Sequence, residues 1–327
     1  MSAPAVDWEL AARLAPRLVR PGPVAVWSDR VQLVASLRSA AQAALPHAAR
    51  VTGLELPEPP ETLVVDRAGW ARANVRALGG VIGDQGEGTG AGAAMELAAG
   101  LGLLSGSVLG QVEPWGTGRP RLLLVAPNVL ATERSLSVPA EDFRLWVALH
   151  EQTHVVQFAA APWLAGHLAE RMAALWADQP RPTPGAVLAG ARRAARSGDW
   201  TPLDLLDERQ RAEVDRIGAV MALLEGHADV AMDAVGPSVI PSVRQLRRRF
   251  GRRRAAAARA TGLRRVLRAV LGVDVKLAQY ADGATFVRAV RRRVGREGLN
   301  AVWAAPELMP GPAEMADPAA WVRRVHG

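Results

Sequence analysis

The feature that most constrains the fold is a helical apolar periodicity that returns along almost the whole chain. Ala-rich segments with apolar residues three and four positions apart recur through the 327 residues, and this spacing places them on one side of an α-helix. Strand candidates are few, namely the short apolar runs "ETLVVD" (61–66) and "RLLLVAP" (121–127). The sequence therefore predicts a mainly α fold with a small β-sheet, in the α+β class.

The chain contains no cysteine. This excludes thiol catalysis, disulfide frameworks and Cys-type zinc fingers, and a chain of this length can bury a substantial core without such crosslinks. The N-terminal stretch "MSAPAVDWELAARLAPRLVR" has early acidic residues and no apolar core of signal-peptide length. We therefore expect no secretion signal and a cytoplasmic protein.

Two unusual stretches are expected to be structural. Residues 89–110 are long and nearly uncharged, but they are mostly Ala, Gly and Leu and include Glu96. They predict a tightly packed internal helix, and we expect no membrane association. The stretch "GDQGEGTGAG" (83–92) has no Gly-Lys-Ser/Thr after it, so it is expected to be a flexible turn and not a phosphate-binding loop.

Basic residues are concentrated in two arginine-rich runs, 242–271 and 288–298, in a chain of net charge +8. We expect solvated helix faces, because no nucleic-acid-binding motif lies near either run. The alternative is a surface for nucleic acid or another acidic partner, and nucleic acid is not the expected partner.

The chain has one candidate connection, at 178–204, where prolines and basic residues flank a short Ala-rich run. We predict an N-terminal helical part with short strands over residues 1–135. A second helical part over 136–327 is predicted to carry the functional residues, and the two parts are expected to form one compact unit.

Residues 139–158, "PAEDFRLWVALHEQTHVVQF", predict a helix. Pro139 suits the first helical position, acidic residues follow in the first turn, and no later proline or glycine interrupts the segment. His150 and His154 extend an apolar stripe, so both are expected to face the interior. The other members of that stripe are Phe143, Trp146 and Val147.

Two histidines four positions apart place their rings side by side, which suits the zinc–nitrogen distances of about 2.0–2.1 Å. Glu151 lies about 100° around the helix from His150, so it can flank a metal without binding it. A zinc-bound water ionises near neutral pH, and a carboxylate beside it accepts the proton and passes it to a leaving amine. The pattern supplies two ligands and a base, and it requires a third ligand.

A second helix is predicted over 207–237, ended by a Gly-Pro pair. Its apolar face carries Glu225 and Asp229, and a carboxylate pair is costly to bury unless a cation compensates it. We expect Glu225 to bind zinc and Asp229 to accept a histidine ring N–H. His227 is the rival third ligand; it lies about 200° around the helix from Glu225, so both cannot face one metal.

Four stretches together resemble the actinobacterial zincin-like metallopeptidases of the second type, whose members are often labelled as associated with deazaflavin-coenzyme biosynthesis. The stretches are "LLLVAPNVLATER", "FRLWVALHEQTHVVQF", "LLEGHADVAMDAVG" and "KLAQYADGATFVRAV". The resemblance runs from about residue 60 to about 325. It implies a zincin-like fold and a zinc-dependent hydrolase that acts on a peptide or small amide.

The Glu-x-x-x-Asp pattern is also similar to gluzincins such as thermolysin. Carried over, it implies that His150, His154 and Glu225 bind Zn²⁺, that Glu151 is the base and that Asp229 orients a histidine. The chain departs from the thermolysin pattern in spacing, because His154 and Glu225 are 71 residues apart (225 − 154).

Tyr280, the only tyrosine, is a candidate to stabilise the oxyanion of the transition state, and Arg244 and Arg247 are weaker candidates. The leading hypothesis is a zinc hydrolase. The alternatives are a binding protein with a structural zinc site and an arginine-rich face, and an inactive zincin retained for assembly.

Overall fold

The computed structural model describes residues 6–82, 90–115, 119–176, 207–258 and 273–327, with side chains described except at 81–82, 175–176, 254–258 and 273–282. Two compact units are present. The sheet unit comprises Ser2–Ala165 and Ala231–Phe250, and the helical unit comprises Gly166–Val230 and Gly251–Gly327. The predicted boundary between residues 135 and 136 stays a prediction, and the predicted connection 178–204 lies outside the described residues.

The described chain alternates helices with short strands only in its first half. The strands are β1 (Glu61–Val65), β2 (Gly110–Glu113) and β3 (Arg121–Val125). The helices of the sheet unit are α1 (Trp8–Leu14), α2 (Trp27–Thr52), α3 (Arg67–Ile82), α4 (Ala91–Leu104), α5 (Ala126–Leu136) and α6 (Ala140–Ala160). Those that follow are α7 (Leu164–Trp176), α8 (Glu208–Ala234), α9 (Val243–Ala258), α10 (Val273–Asn300), α11 (Pro312–Ala316) and α12 (Pro318–His326).

The sheet has the strand order β1-β3-β2, with β1 parallel and β2 antiparallel to β3. Its central strand, "RLLLV", is apolar after the arginine because both faces are covered. Leu122 and Leu124 pack into the core that α2 and α6 supply, whereas Leu123 and Val125 pack into a second core with α1, α3 and α4. The alternation of a strand thus divides one apolar run between two cores.

The predicted mainly helical fold with a small sheet is confirmed, and β1 and β3 confirm the two predicted strands. The strand β2 was not predicted. It begins at the last residue of the uncharged stretch 89–110, and four residues give too short an alternation to detect. Residues 91–104 of that stretch form α4, and residues 83–89 of the glycine-rich turn predicted at 83–92 lie outside the described ranges.

None of the helices in the described ranges has both the length and the apolar character needed to span a bilayer. In α4, Ala94 and Ala98 are fully buried, and Gly102 contacts Leu18 closely. An added Cβ on Gly102 would lie 2.9 Å from Leu18 Cβ. The small residues of α4 therefore allow close packing, as predicted for this segment.

Helix α6 is fixed inside the sheet unit by contacts with α2 and with the chain before α9. It begins at Ala140, with Pro139 as its N-cap, so the predicted start is displaced by one residue. Asp142 Oδ2 accepts a hydrogen bond from the Ser242 backbone N–H at 2.8 Å. Gln152 Nε2 donates to the Ala41 carbonyl oxygen of α2 at 2.9 Å. The buried Gln152 amide therefore joins the two helices.

Helix α8 confirms the second predicted helix and its stop signal, since Gly236 adopts the left-handed φ of 74° just beyond its end. In the helical unit α8 crosses α10 at two glycines. An added Cβ on Gly226 would lie 2.1 Å from the Gly283 carbonyl carbon, and one on Gly283 would lie 1.9 Å from the Ala222 carbonyl oxygen. Only glycine permits this approach of two backbones, and the crossing lies next to Glu225.

Candidate metal centre

His150 and His154 are the positions at which the middle of α6 reaches solvent. From Trp146 to Gln157, a stretch described in full, every side chain is buried except these two, which are half-buried. The helix is therefore enclosed on all sides, and not only along the apolar stripe that the sequence predicted. The tertiary packing of α2 and the sheet against α6 explains the difference.

The two rings face one another through their Nε2 atoms, which lie 3.1 Å apart. The ring planes are nearly perpendicular, at 89°, and the ring centroids are 4.7 Å apart. Two nitrogens bound to one tetrahedral zinc ion at about 2.0–2.1 Å are separated by roughly 3.3 Å. The spacing of the two Nε2 atoms therefore fits two ligands of a single ion.

The other ring nitrogen of each histidine has a hydrogen-bond partner. His154 Nδ1 lies 2.8 Å from Gln157 Oε1, so the Nδ1–H donates to the amide oxygen. His150 Nδ1 lies 3.2 Å from the sulfur of Met232, a weak acceptor. When both rings carry their proton on Nδ1, each Nε2 offers a lone pair to a shared cation. A cation between them stabilises that arrangement.

Glu225 adds a carboxylate to this pair. One ligand atom each from His150, His154 and Glu225 lie within 4.8 Å of one another, and all three side chains are half-buried. Glu225 and Met232 are seven residues apart on α8, so they share one face of that helix. Two imidazoles and one carboxylate are a donor set typical of catalytic zinc sites.

His227, the rival third ligand, is only 3% exposed. Its ring centroid lies 5.3 Å from that of Trp303 at an interplanar angle of 52°. Among the residues that the structure describes, the group able to hold a metal contains Glu225 and does not contain His227. Glu225 and His227 lie about 200° apart around α8, so both cannot belong to one group of ligands.

Glu151, the predicted base, is 6% exposed and follows His150 directly on α6. It lies against Gly110, the first residue of β2. Asp229 is half-buried on the same face of α8 as Glu225. The partners described above for the two Nδ1 atoms are Gln157 and Met232, and the tautomer-fixing role of Asp229 stays a prediction.

The oxyanion candidates lie on other helices. Tyr280 belongs to α10, one turn before the glycine crossing, and its side chain lies outside those that the structure describes. Arg247 forms an ion pair with Asp233 at 2.7 Å, and its guanidinium lies 5.5 Å from the Trp146 ring centroid. Arg244 is exposed. The oxyanion roles stay predictions, and Arg247 has a clear packing role between α9 and α6.

Gln157 and Met232 were not predicted as partners of the histidine rings. Gln157 could have been found, because it lies three residues after His154 on the same helix face. Met232 lies on a different helix, 82 residues from His150 in the chain. No pattern within either helix indicates which residue of the other meets it.

A family model described as zincin-like metallopeptidase matches residues 6–322. Among solved structures, a crystal structure from Chloroflexus aurantiacus is described as a candidate hydrolase with a novel fold. It is 29% identical to this chain, covers 98% of each chain and has a TM-score of 0.68. No curated protein matches the chain. The narrower resemblance to the actinobacterial type, with its deazaflavin label, stays a prediction.

Proposed function

Because the chain belongs to the zincin-like metallopeptidase family, we propose that it is a zinc-dependent hydrolase that cleaves an amide bond in a peptide or small amide. The observation that carries the proposal is the pair of Nε2 atoms 3.1 Å apart, with the Glu225 carboxylate in the same group of ligand atoms. His150, His154 and Glu225 would hold the ion. The resemblance of the neighbouring structure, itself described as a candidate hydrolase, supports the same class.

Each protein residue has a distinct task in this proposal. Bound zinc supplies Lewis acidity and lowers the pKa of a water ligand to about 7. Gln157 holds the proton of His154 on Nδ1, which keeps Nε2 available as a ligand. Glu151 accepts a proton from the attacking water and delivers it to the leaving nitrogen. Burial of Glu151 keeps bulk water from competing for that proton.

The arginine-rich alternative has a weaker basis, because the α9 arginines with described side chains divide into two sets. Arg247 pairs with Asp233, and Arg249 donates to the carbonyl oxygens of Leu136 and Ser137. The exposed set is Arg244, Arg248, Arg252 and Arg253. Part of the run is therefore used to hold the fold together. The cytoplasmic location, the substrate class and the absence of a nucleic-acid partner stay part of the proposal.

The proposal is tested by zinc analysis of the purified protein combined with cleavage of a quenched fluorescent peptide library. We expect one zinc per chain, and a Glu151→Gln variant that retains zinc but loses about 10²–10⁴-fold in kcat. Glu141→Gln is the matched control, because Glu141 is an exposed carboxylate on the same helix. A protein without stoichiometric zinc, or a Glu151→Gln variant of full activity, would refute the proposed function.

A further inference from the structure

The strand β2 begins at the point where it meets the side chain of Glu151. A Cβ built on Gly110 would lie 2.5 Å from Glu151 Cγ, 2.7 Å from its Cδ and 2.8 Å from its Oε1. Carbon atoms in contact are about 3.5–4.0 Å apart. Any residue larger than glycine at position 110 therefore overlaps the Glu151 side chain where it now lies.

The backbone of Gly110 does not itself require glycine. Its φ lies outside the left-handed region, which the described chain uses at other glycines such as Gly53 and Gly236. Gly110 pairs regularly with Leu124 in the antiparallel ladder between β2 and β3. The missing side chain therefore matters because of what occupies its place, the Glu151 side chain.

Neither backbone can move apart easily to make room. Leu124 is fully buried in the central strand, and Val125 N–H donates to the Leu109 carbonyl oxygen at 2.9 Å. On the other side, Gln152 ties α6 to α2 next to Glu151. The overlap would have to be relieved by the Glu151 side chain. Because the nearest atom is Cγ, rotation about the Cα–Cβ bond is needed, and this moves the carboxylate away from its present position.

We propose that Gly110 is a positioning residue for Glu151: the absence of a Cβ on the edge strand leaves the space in which the proposed base is held beside the metal ligands. The catalytic part of this inference rests on the proposed function. Gly110 touches neither metal nor substrate in this role and acts through Glu151. The metal ligands His150, His154 and Glu225 are independent of it.

The steric contact is tested without any substrate, by a double-mutant cycle in thermal stability. Gly110→Ala is expected to lower Tm by several degrees in the wild-type background, where the new methyl group overlaps Glu151. In a Glu151→Ala background the overlapping atoms are gone, so the same substitution is expected to leave Tm unchanged. Gly92→Ala is the control, because nothing lies within 4 Å of an added Cβ on that glycine in α4.

The catalytic part is tested by kinetics and zinc content. Gly110→Ala is expected to keep one zinc per chain and an unchanged KM but to lose about 10²-fold in kcat, the cost of misplacing a reacting group by about 1 Å. In a Glu151→Gln background it should cause no further loss, because both changes act through one group. A purely structural role for Gly110 would instead give additive losses.

The possible failures are separable. Equal Tm losses in the two Glu151 backgrounds would overturn the steric contact, and additive kinetic losses would overturn the positioning role. If Gly110→Ala does not fold, folding of the Gly110→Ala/Glu151→Ala double variant supports the contact, and failure of both overturns it. Wild-type protein without stoichiometric zinc removes the proposed function and the catalytic part with it, while the stability cycle still decides the contact.

Discussion

Histidines in the middle of two long helices have opposite surroundings in this protein. On α6, His150 and His154 are the half-buried positions of an otherwise buried stretch, and their Nε2 atoms face each other at 3.1 Å. On α8, His227 is buried and packs against the ring of Trp303. A buried imidazole can serve as a packing element, whereas two opposed nitrogens at an opening suit a ligand that enters from solvent.

A third environment shows that partial exposure alone does not indicate a metal site. His167 on α7 is half-buried, like the pair on α6. However, Arg171 Nε donates to its Nε2 at 2.9 Å, and Arg171 in turn pairs with Glu213 at 2.8 Å. A cationic neighbour occupies the ring nitrogen that a metal would need. The nature of the group facing the nitrogen, and not exposure, therefore separates the two cases.

The largest effect is expected from removing one of the opposed rings. His154→Ala should lose zinc affinity by more than the roughly 10–100-fold that changes in outer partners of a ligand cost, and should abolish cleavage. Zinc content after dialysis is the measurement. His47→Ala is the matched control, since His47 lies on α2 and does not belong to the metal-binding group. Stoichiometric zinc in the His154→Ala variant would contradict a metal-binding role for His154, and with it the contrast to the packing role of His227.

His227→Ala should lower stability and leave zinc binding unchanged, the opposite of the effect expected for His154→Ala. Loss of a buried ring leaves a cavity beside Trp303, so the free energy of unfolding should fall by about 2–4 kcal/mol, measured by denaturant unfolding. Zinc content should stay at the wild-type level because the proposed third ligand is Glu225. A variant with normal stability but no zinc would make His227 the ligand and Glu225 the structural residue.

Two buried glutamines on α6 allow a comparison in which the expected effect on zinc affinity is smaller. Gln157→Met removes the acceptor that holds the proton on His154 Nδ1, so zinc affinity should fall by about 10–100-fold. Gln152→Met removes a buried amide of the same type that bonds to Ala41 instead. It should lower stability and leave zinc affinity unchanged. Competition with a chromophoric chelator measures both, and equal affinities for the two variants would contradict the tautomer role of Gln157.

The smallest effect concerns His167. Burial, followed by the charge of Arg171, lowers the pKa of His167 below the ordinary 6.5. The unfolded chain therefore binds a proton on His167 more readily than the folded chain does. The contribution of His167 to the free energy of unfolding is complete above pH 6.5. It is lost as the pH falls below 6.5 through the lowered pKa of the folded state. NMR titration should show the lowered value, and Arg171→Leu should raise it. An unchanged pKa in that variant would exclude Arg171 as a cause.

Much of the fold followed from local patterns. The period of the apolar residues indicated helices at α6 and α8, and the short apolar runs indicated β1 and β3. These patterns are readable because each element must bury an apolar face whatever it packs against. The strand β2 was not predicted because it has only four residues and begins with a glycine. That glycine is explained by Glu151, which lies 41 residues later in the chain (151 − 110).

In the candidate site, the sequence predicted the relations between residues of the same helix. Spacing alone indicated that His150 and His154 share a face with Glu151 beside them, since the geometry of one helix fixes these relations. The same geometry showed that Glu225 and His227 point in different directions, but it could not say which of them meets the histidine pair. That choice depends on how α8 lies against another helix, and no periodicity within α8 encodes it.

The sequence by itself therefore determined the elements, the donor types and the relations within each helix, because backbone geometry repeats wherever a helix forms. Only the tertiary structure decided that α6 is enclosed except at His150 and His154, that Gln157 and Met232 meet the outer ring nitrogens, and that Gly110 lies against Glu151. Most of these are contacts between residues distant in the chain, which arise from packing and leave no local pattern in the sequence.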